Sequence, residues 1–332
     1  MDLNISIIVP VFNRPDEVNE LLQSLSEQTK KGFEIIIVED GSNIKCDDIV
    51  EQFKDVLNIK YFFKKNSGPG QSRNYGFEKA EGNYAIFLDS DCVIPKRYFE
   101  IVSEQLTSNY VDAFGGPDAA HADFTSLQKA INYSMTSFFT TGGIRGGGEK
   151  LDKFYPRSFN MGYSRDVFNK TGGFSKMRFG EDIDMSIRIL GNGFQTRLFK
   201  DAYVYHKRRT NLRQFYKQIY NSGIARINLY KLYPSSLKLV HFAPSVFFMG
   251  LLTVLLGSIF YSKYLLIFPL IHITTIFMDS SIQNKNLLIG LLSVITSYIQ
   301  LLSYGLGFIM AGWKRIILGQ DLYSAFDNSF YD

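Results

Sequence analysis

Short apolar runs alternate with amphipathic segments over the first ninety residues of the chain. The apolar runs have the length and the nearly continuous hydrophobicity of buried parallel strands. Between them, apolar side chains recur at helical spacing, as at Val18, Leu21 and Leu25. Strands and helices that alternate in this way indicate a mainly parallel sheet. The pattern predicts strands at 5–11, 34–38, 59–63 and 84–88, and helices at 16–28, 47–53 and 71–79.

From residue 239 onwards the pattern changes to three long stretches without Asp, Glu, Lys or Arg. These are residues 239–262, 264–278 and 286–313, which hold 24, 15 and 28 residues. A spanning helix needs about 20 apolar residues, so the first and third stretches are predicted to cross a membrane. The second is short, and it would either span with help from its flanks or re-enter on one side. The other interpretation is a set of buried core helices.

Basic residues are concentrated just before these stretches, at Lys207, Arg208, Arg209, Arg213, Lys217, Arg226, Lys231 and Lys238. The positive-inside rule then predicts a multi-pass protein of the inner (cytoplasmic) membrane whose N-terminal domain is cytoplasmic. Three full spans would place Lys314 and Arg315 on the opposite face, so either that holds or one segment does not cross. The predicted domains are a catalytic domain at 1–210, basic juxtamembrane helices at 211–238, a membrane region of two to three helices at 239–313 and a tail at 314–332.

Composition narrows the classes of protein that fit. The chain has 332 residues, of which 45% are hydrophobic, enough for a large domain with a packed core. Its formal net charge of +4 is too small to indicate nucleic-acid binding. Its 2 cysteines, Cys46 and Cys92, cannot form a disulfide framework or a zinc cluster. The first residues carry no basic segment, so the apolar run after them is predicted to be a strand rather than a secretory signal.

Polar residues follow all four predicted strands. The carboxyl ends of parallel strands meet at one edge of the sheet, where ligands of such folds bind. An arginine offers a planar donor fork to phosphate, and paired carboxylates hold a divalent cation. The set predicts a nucleoside diphosphate site in which Asp40 accepts hydrogen bonds from the base or ribose; the alternative is a group of solvated turns. In chain order, the residues are Asn13, Arg14, Asp40, Gly70, Arg73, Asp89 and Asp91.

Two familiar phosphate-binding motifs are missing from the sequence. No Gly-x-Gly-x-x-Gly follows the first strand, which disfavours a nicotinamide-dependent enzyme, and no Gly-x-x-x-x-Gly-Lys-Ser/Thr occurs. The glycine-rich segment 142–148 lacks the spacing of the second motif. We predict that this segment forms a mobile loop over the site.

Four motifs resemble those of the family 2 glycosyltransferases: Pro10-Val-Phe-Asn-Arg14, Val38-Glu-Asp-Gly-Ser42, Gly70-Gln-Ser-Arg-Asn-Tyr-Gly76 and Leu88-Asp-Ser-Asp91. The resemblance spans most of the first 210 residues. It implies an α/β fold of GT-A type, a nucleotide-sugar-binding, Rossmann-like mixed sheet, here followed by a helical transmembrane region. It also implies inverting transfer from a nucleotide-sugar, usually a UDP-sugar, with Mn²⁺ or Mg²⁺. The donor-binding residues it implies are Pro10, Phe12, Asn13, Arg14, Asp40, Gly70, Arg73, Asp89, Ser90 and Asn160.

Two neighbouring carboxylates, Glu181 and Asp182, precede a predicted helix at 183–190. Carboxylates at a helix start are common for capping and dipole reasons alone. Here they follow Gly172-Gly-Phe174, and the whole segment resembles the acceptor-side motif of the same family. The resemblance implies that Asp182 is the general base that deprotonates the acceptor hydroxyl. Glu181 would support acceptor binding or loop geometry.

His206 is the histidine whose position suggests a ligand role. In some metal-dependent relatives, a histidine about this far beyond the Glu-Asp pair completes the metal site, and imidazole suits Mn²⁺. The resemblance therefore implies a metal site of Asp89, Asp91 and His206. The alternative for His206 is a packing or hydrogen-bonding role. Asp118 is a weaker candidate for a contact with the donor sugar, and Arg188 is predicted to be a structural partner of a carboxylate.

One departure from the family argues against polymer synthesis. Processive membrane synthases carry Gln-x-x-Arg-Trp at the membrane, whereas the single tryptophan of this chain is Trp313. We therefore expect transfer of one sugar to a membrane lipid-linked glycan in cell-surface polysaccharide assembly. The alternatives are transfer to a polyprenyl phosphate, a nucleotidyltransferase on a similar sheet, and a non-catalytic membrane scaffold. A scaffold is expected to lose its carboxylates, but Asp40, Asp89, Asp91 and Asp182 are all present.

Overall fold

The computed structural model of the protein describes residues 3–119, 124–141, 154–321 and 323–326. The chain forms two compact units, of which one combines residues 1–121 with 150–207 and the other combines 122–149 with 208–332. The described residues 124–141 therefore group with the C-terminal helices. The predicted domain boundaries at 210, 238 and 313 stay predictions, and the glycine-rich segment 142–148 lies outside the described residues.

The first unit is built on two β-sheets. Among the described residues, seven strands form the larger sheet and three short strands form the smaller one. In chain order the strands are β1 (Ile5–Val11), β2 (Phe33–Asp40), β3 (Ile59–Lys64), β4 (Tyr84–Leu88), β5 (Cys92–Val93), β6 (Ala113–Gly115), β7 (Asp118–Ala119), β8 (Asn160–Ser164), β9 (Thr196–Leu198) and β10 (Val204–His206).

The larger sheet has the strand order β3-β2-β1-β4-β8-β6-β9. Strand β1 pairs in parallel with both β2 and β4, and β2 pairs in parallel with β3. Strand β8 runs antiparallel to its neighbours β4 and β6, so the sheet is mixed. The chain builds outward from β1 to β3 and then returns to the other side of β1 as β4. Ligands of open α/β sheets bind at such a switch in strand order, outside the carboxyl ends of the strands.

Alternate residues of the central strands enter two separate hydrophobic cores. In β1, Ile7 and Val9 belong to one core, whereas Ile8 belongs to the other. In β2, Ile35 and Ile36 are divided in the same way. All five side chains are fully buried. Burial on both faces explains why these strands read as continuous apolar runs in the sequence instead of as alternating ones.

Helices flank the larger sheet in the first unit and make up the second. Helices α1–α4, α7 and α8 belong to the first unit, and α5, α6 and α9–α12 belong to the second. In chain order the helices are α1 (Pro15–Ser26), α2 (Asp47–Phe53), α3 (Pro69–Lys79), α4 (Tyr98–Ser108), α5 (Ser126–Thr136), α6 (Phe138–Thr141), α7 (Arg165–Thr171), α8 (Glu181–Gly191), α9 (Leu212–Leu232), α10 (Ala243–Phe260), α11 (Ile267–Asn284) and α12 (Leu287–Gly312).

The predicted elements of the first unit agree closely with these bounds. The strands at 5–11 and 84–88 and the helix at 47–53 are observed with the predicted ends. The ends of the other predicted strands and helices lie within two residues of the observed ones. Helix α1 begins at Pro15, where a proline is tolerated because the first helical N–H groups have no intrahelical partner.

The smaller sheet brings the end of the first unit back to β4. Its strand order is β5-β10-β7, and β10 runs antiparallel to β5. His206 is paired with Cys92 in this ladder. The backbone N–H of Lys207 also donates to the carbonyl oxygen of Asp91 at 3.1 Å. The ladder therefore holds His206 beside the carboxylates that follow β4.

Three helical segments of the second unit are long and apolar enough to cross a membrane. They are Leu239–Phe260, Lys263–Asn284 and Leu287–Ile317. In the most apolar window of each, 0%, 11% and 44% of the residues are buried inside the protein. Helix α12 packs against α5, α9, α10 and α11. It therefore forms the centre of the unit, whereas α10 presents most of its apolar surface outward.

The second candidate span is longer than its charge-free stretch suggests, because α11 continues past Asp279 to Asn284. The Asp279 carboxylate accepts hydrogen bonds from the Tyr133 hydroxyl at 2.6 Å and from the Gln283 amide at 2.9 Å. A polar residue is tolerated in an apolar helix when a partner inside the bundle satisfies it. By length and composition, the described residues therefore hold three candidate spans, the upper of the two predicted counts.

Candidate active site

Two arginines lie against the carboxylates that follow β4. Arg73 Nη2 is 2.6 Å from Asp89 Oδ1, and Arg14 Nη1 is 2.5 Å from Asp91 Oδ2. Arg14 directly precedes α1, and Arg73 lies in the second turn of α3. The starts of two helices that follow different strands thus bring Arg14 and Arg73 to the same pair of aspartates. Four predicted site residues come together at the switch between β1 and β4.

His206 lies against the same carboxylates. Its Nε2 atom is 3.1 Å from Asp91 Oδ1 and 3.9 Å from Asp89 Oδ2. The imidazole stacks on Phe159, with ring centroids 5.0 Å apart and ring planes 13° apart, which fixes its orientation. Carboxylates suit hard divalent cations and imidazole suits several transition metals. This set of donor atoms therefore fits a divalent cation.

Cys92 lies next to this group. Its sulfur, an Asp91 oxygen and a His206 nitrogen all lie within 4.8 Å of one another. Burial, together with the charges of Asp91 and Asp89, raises the pKa of the Cys92 thiol well above its ordinary value. The thiol donates to the Phe159 carbonyl oxygen at 3.7 Å. Metals bind the thiolate form, so the fit to a cation rests on the two aspartates and His206.

Arg73 connects these carboxylates with the start of α8. While its Nη2 atom contacts Asp89, its Nη1 atom lies 3.3 Å from Glu181 Oε1. The guanidinium is buried, and the Phe174 ring lies 5.3 Å from its Cζ atom. A buried charge requires such partners to offset its desolvation. Arg73 therefore ties the β4 end to the helix that carries the predicted base.

Glu181 and Asp182 open α8, as predicted, in different surroundings. Glu181 is buried, and this burial, with the Asp182 charge, raises the pKa of its carboxyl well above its usual range against the opposing effect of Arg73. Asp182 is partly exposed. Its Oδ2 atom accepts a hydrogen bond from Arg157 Nη1 at 3.0 Å, and its Oδ1 atom accepts one from the Ile183 N–H at 2.8 Å.

Asn74 anchors the loop before α8 to α3. Its side-chain amide donates to the Phe174 carbonyl oxygen at 2.8 Å, and its Oδ1 atom accepts from the Phe174 N–H at 2.8 Å. Gly173 has φ +73°, and a Cβ atom there would stand 2.2 Å from Asn74 Oδ1. A Cβ at Gly70 would stand 3.2 Å from Phe174 Cβ. Gly70 and Gly173 thus allow the motif at 70–76 and the segment at 172–174 to pack closely against each other.

Asp40 has a structural environment that the sequence did not indicate. Its carboxylate accepts hydrogen bonds from the backbone N–H groups of Ser67 and Gly68, both at 2.9 Å. Lys64 forms an ion pair with the same carboxylate. These contacts fold the loop that leads into α3. The role of Asp40 toward a base or ribose stays a prediction, in which a ligand would share the carboxylate with these donors.

Asn13 joins the loops after β1 and β2. Its φ is +52°, a conformation that asparagine adopts more readily than most residues. Its N–H donates to Ser42 Oγ at 2.7 Å, and its Oδ1 atom accepts from the N–H groups of Asn43 and Ile44 at 2.8 and 3.1 Å. The other predicted residues of this stretch are partly exposed; these are Pro10, Phe12 and Arg14.

Asn160 lies inside the fold. It is fully buried, its amide donates to the Ala202 carbonyl oxygen at 2.8 Å, and its Oδ1 atom accepts from the Tyr98 hydroxyl at 2.6 Å. Both polar ends of the side chain are engaged within the protein, and its role toward a donor sugar stays a prediction. Ser90, between the two aspartates, is also buried, whereas Asp118 on β7 is partly exposed.

Three residues with evident roles in this geometry were missed in the sequence: Lys64, Asn74 and Arg157. Asn74 falls inside the motif at 70–76, so its position was a usable signal. Lys64 and Arg157 carry no local signal, because their partners are distant in the chain. The structural role predicted for Arg188 is confirmed, since its Nη2 atom lies 2.7 Å from Asp184 Oδ2.

The mixed sheet, with its switch between β1 and β4, places the first unit in the class of GT-A-like α/β folds. The chain belongs to glycosyl transferase family 2, whose family model matches residues 6–172. The matched segment runs from the second residue of β1 to the residue after α7. The family resemblance drawn from the sequence motifs is therefore confirmed.

Relatives of the chain are named as glycosyltransferases. An uncharacterised glycosyltransferase of Rickettsia conorii is 42% identical over 108 residues, which are 32% of this chain and 18% of that protein. TarS of Staphylococcus aureus, a poly(ribitol-phosphate) β-N-acetylglucosaminyltransferase, is 35% identical over 114 residues, 33% of this chain and 20% of that protein. The chain thus spans about a fifth of the length of these two curated relatives.

Solved structures share the fold. TarS residues 1–349 in complex with UDP-GlcNAc superpose with a TM-score of 0.51 and 22% identity over 68% of this chain and 67% of that chain. The mannosyltransferase PcManGT of Pyrobaculum calidifontis, in complex with GDP-Man and Mn²⁺, has a TM-score of 0.63 and 12% identity over 90% and 87% of the two chains. At these identities, the likeness establishes the fold.

Proposed function

We propose that the protein is a metal-dependent inverting glycosyltransferase that moves one sugar from a nucleotide-sugar, a UDP-sugar in the first instance, to a lipid-linked glycan acceptor. It would act at the cytoplasmic face of the inner membrane during cell-surface polysaccharide assembly. The observation that carries the proposal is the cluster of Asp89, Asp91 and His206 after β4, which Arg73 joins to Glu181, the neighbour of Asp182.

The donor would bind at the end of β4. Arg14 and Arg73 lie within 2.5–2.6 Å of the β4 aspartates and provide guanidinium groups for the diphosphate. Asp89, Asp91 and His206 would hold Mn²⁺ or Mg²⁺. Such an ion, when bound, neutralises charge on the departing diphosphate. The complexes of TarS with UDP-GlcNAc and of PcManGT with GDP-Man and Mn²⁺ support this assignment.

Asp182 would take the proton of the acceptor hydroxyl. It is partly exposed at the start of α8, and its two oxygens accept hydrogen bonds from Arg157 and from the Ile183 N–H. Glu181 is less suited to this role, because it is buried against Arg73 and its pKa is raised by that burial. Glu181 would instead hold Arg73 and the acceptor-side loop in place.

The acceptor would be presented by the membrane. Three candidate spans follow the catalytic unit in the chain, and Arg213, Lys231 and Lys238 are exposed just before them. Anionic lipid attracts such a basic segment. The same basic residues would also serve a polyprenyl phosphate acceptor, which remains the second proposal.

Thermal unfolding of the detergent-solubilised protein tests the donor site. A ligand that binds the folded state alone stabilises it by about 2.7 kcal/mol at a hundred times its Kd. UDP or GDP should therefore raise Tm with Mn²⁺ and much less with a chelator, and UMP, which lacks the second phosphate, should give a smaller shift. Absence of a shift with every nucleoside diphosphate would overturn the proposal and leave the scaffold hypothesis.

A further inference from the structure

Arg157 lies on a segment whose backbone is fixed on several sides. The Thr196 hydroxyl donates to the Phe154 carbonyl oxygen at 2.8 Å, and the Asn160 N–H donates to the Arg157 carbonyl oxygen at 3.0 Å. Between them, the buried Ser186 hydroxyl on α8 lies 2.9 Å from the Pro156 carbonyl oxygen. The segment before β8 is therefore attached to the helix that begins with Glu181 and Asp182.

This attachment brings the Arg157 guanidinium to Asp182. Its Nη1 atom donates to Asp182 Oδ2 at 3.0 Å, and the opposite oxygen accepts from the Ile183 N–H at 2.8 Å. The Arg157 side chain is 37% exposed and that of Asp182 is 15% exposed. The guanidinium is thus the more exposed partner, and it lies over the carboxylate. An ion pair this close to the surface contributes little to the free energy of unfolding.

Other charged groups surround the pair. Glu181 lies beside Asp182 on α8, Arg73 faces them from α3, and Asp118 on β7 faces Arg157. The nearby Asp182 carboxylate, followed by Asp118 and Glu181, raises the pKa of Arg157 against its desolvation. Arg157 is consequently a permanent cation among three carboxylates.

We propose that Arg157 is a positioning residue that acts through Asp182, holding its carboxylate pointed toward the acceptor. This inference rests on the proposed function, in which Asp182 is the base. A hydrogen bond to each oxygen, from Arg157 and from the Ile183 N–H, limits rotation of the carboxylate. Arg157 would touch neither the donor nor the acceptor in this role.

Steady-state kinetics of Arg157→Gln and Arg157→Lys test the inference. Arg157→Gln should lower kcat by about tenfold to a hundredfold, as expected when a catalytic group is misplaced, with KM for the donor nearly unchanged. Arg157→Lys should recover kcat only in part, because an ammonium keeps the charge but lacks the planar donor geometry.

Arg97→Ala is the matched control, because Arg97 also pairs with a carboxylate, Glu100, but on the surface. It should leave kcat and KM as in the wild-type protein. A wild-type kcat in Arg157→Gln would overturn the inference. Should Arg157→Gln lose the Tm shift with UDP and Mn²⁺, Arg157→Lys decides instead, and an undiminished kcat in that variant counts against a positioning role.

Asp182→Asn separates this inference from the function beneath it. If Asp182→Asn has lost transfer while Arg157→Gln is normal, only the role of Arg157 is wrong. If Asp182→Asn keeps its turnover, the base assignment is wrong, and the role of Arg157 falls with it. If the wild-type protein transfers no sugar from any UDP- or GDP-sugar, the proposed function itself has failed.

Discussion

The first unit carries two groups of paired carboxylates, and they are built differently. The aspartates after β4 are one residue apart, and each has its own guanidinium, Arg73 or Arg14. Glu181 and Asp182 are adjacent at the start of a helix, and they differ in their partners: Glu181 contacts Arg73, whereas Asp182 contacts Arg157. The first group is suited to hold positive charge, and the second is suited to exchange a proton.

The difference shows that environment, more than residue type, assigns chemistry to a carboxylate. Two acidic residues that share a site have distinct roles when their surroundings push their pKa values apart. In the second group, burial raises the pKa of Glu181. Arg73 touches both groups, so the two halves of the site are not independent.

Replacing the proposed base should have the largest effect. Asp182→Asn keeps the shape of the side chain but removes its basicity, so kcat should fall by about 10²–10⁴-fold, the usual contribution of a general base. The Tm shift with UDP and Mn²⁺ should persist, because the β4 group is untouched. Retained turnover in a transfer assay would contradict the division of roles.

Changing the aspartates that follow β4 should affect the binding of nucleotide and Mn²⁺ instead of the chemical step. Asp91→Ala removes a carboxylate that contacts both Arg14 and His206, so the Mn²⁺-dependent part of the nucleotide Tm shift should disappear. Asp166→Ala, an exposed carboxylate in the first turn of α7, serves as the control. An unchanged affinity for UDP with Mn²⁺ would remove Asp91 from the metal site.

The contact between α3 and the loop before α8, made by Asn74 and Gly173, is sensitive to one added methyl group. Gly172 and Gly173 both have φ +73°, but a Cβ at Gly172 meets nothing within 4 Å, whereas one at Gly173 meets Asn74. Gly172→Ala should cost about 1–2 kcal/mol of unfolding free energy from backbone strain. Gly173→Ala should cost a further 1–3 kcal/mol or so, because the hydrogen bonds of Asn74 are displaced. Equal Tm values for the two variants would show that the loop adjusts freely.

The smallest expected effect is the contribution of the buried Glu181 carboxyl to the pH dependence of stability. Because the folded-state pKa of Glu181 is raised, folded protein binds more protons than unfolded protein above the ordinary glutamate pKa, about 4.3. Its contribution to stability is therefore present at low pH and is lost as pH rises through the folded pKa. Glu181→Gln should remove a part of the decline, on the order of 1–3 kcal/mol. Tm measured from pH 5 to pH 8 checks this, with the exposed Glu78→Gln as the control, and parallel curves for all three proteins would contradict it.

Local patterns predicted most of the first unit and the set of residues at its sheet edge. Strands β1 and β4 were predicted to the residue because burial on both faces demands continuous apolar runs. The starts of α1 and α3 were off by one and two residues, because Pro15 and Pro69 begin these helices. The family motifs then led to the residues of the site.

Local sequence patterns could not predict contacts between residues that are distant in the chain. Asn74 and Phe174 are separated by 100 positions, and nothing in the sequence around Arg157 indicates that it contacts Asp182. The length of the second candidate span was underestimated for a similar reason. A charge count stops at Asp279, but the Tyr133 hydroxyl satisfies this residue within the helical unit. Such pairings arise from tertiary packing, which residue spacing does not record.

The grouping of α5 and α6 with the C-terminal helices has a practical consequence for producing the first unit alone. Ile131 and Met135 of α5 share a core with Phe215 and Ile219 of α9, and Thr296 of α12 donates to the Ala130 carbonyl oxygen at 3.0 Å. Ending the protein after residue 207 would leave α5 in place and strip away its partners. The freed apolar surface would promote aggregation, so a soluble form of the first unit requires that segment 122–149 be replaced by a short polar linker as well.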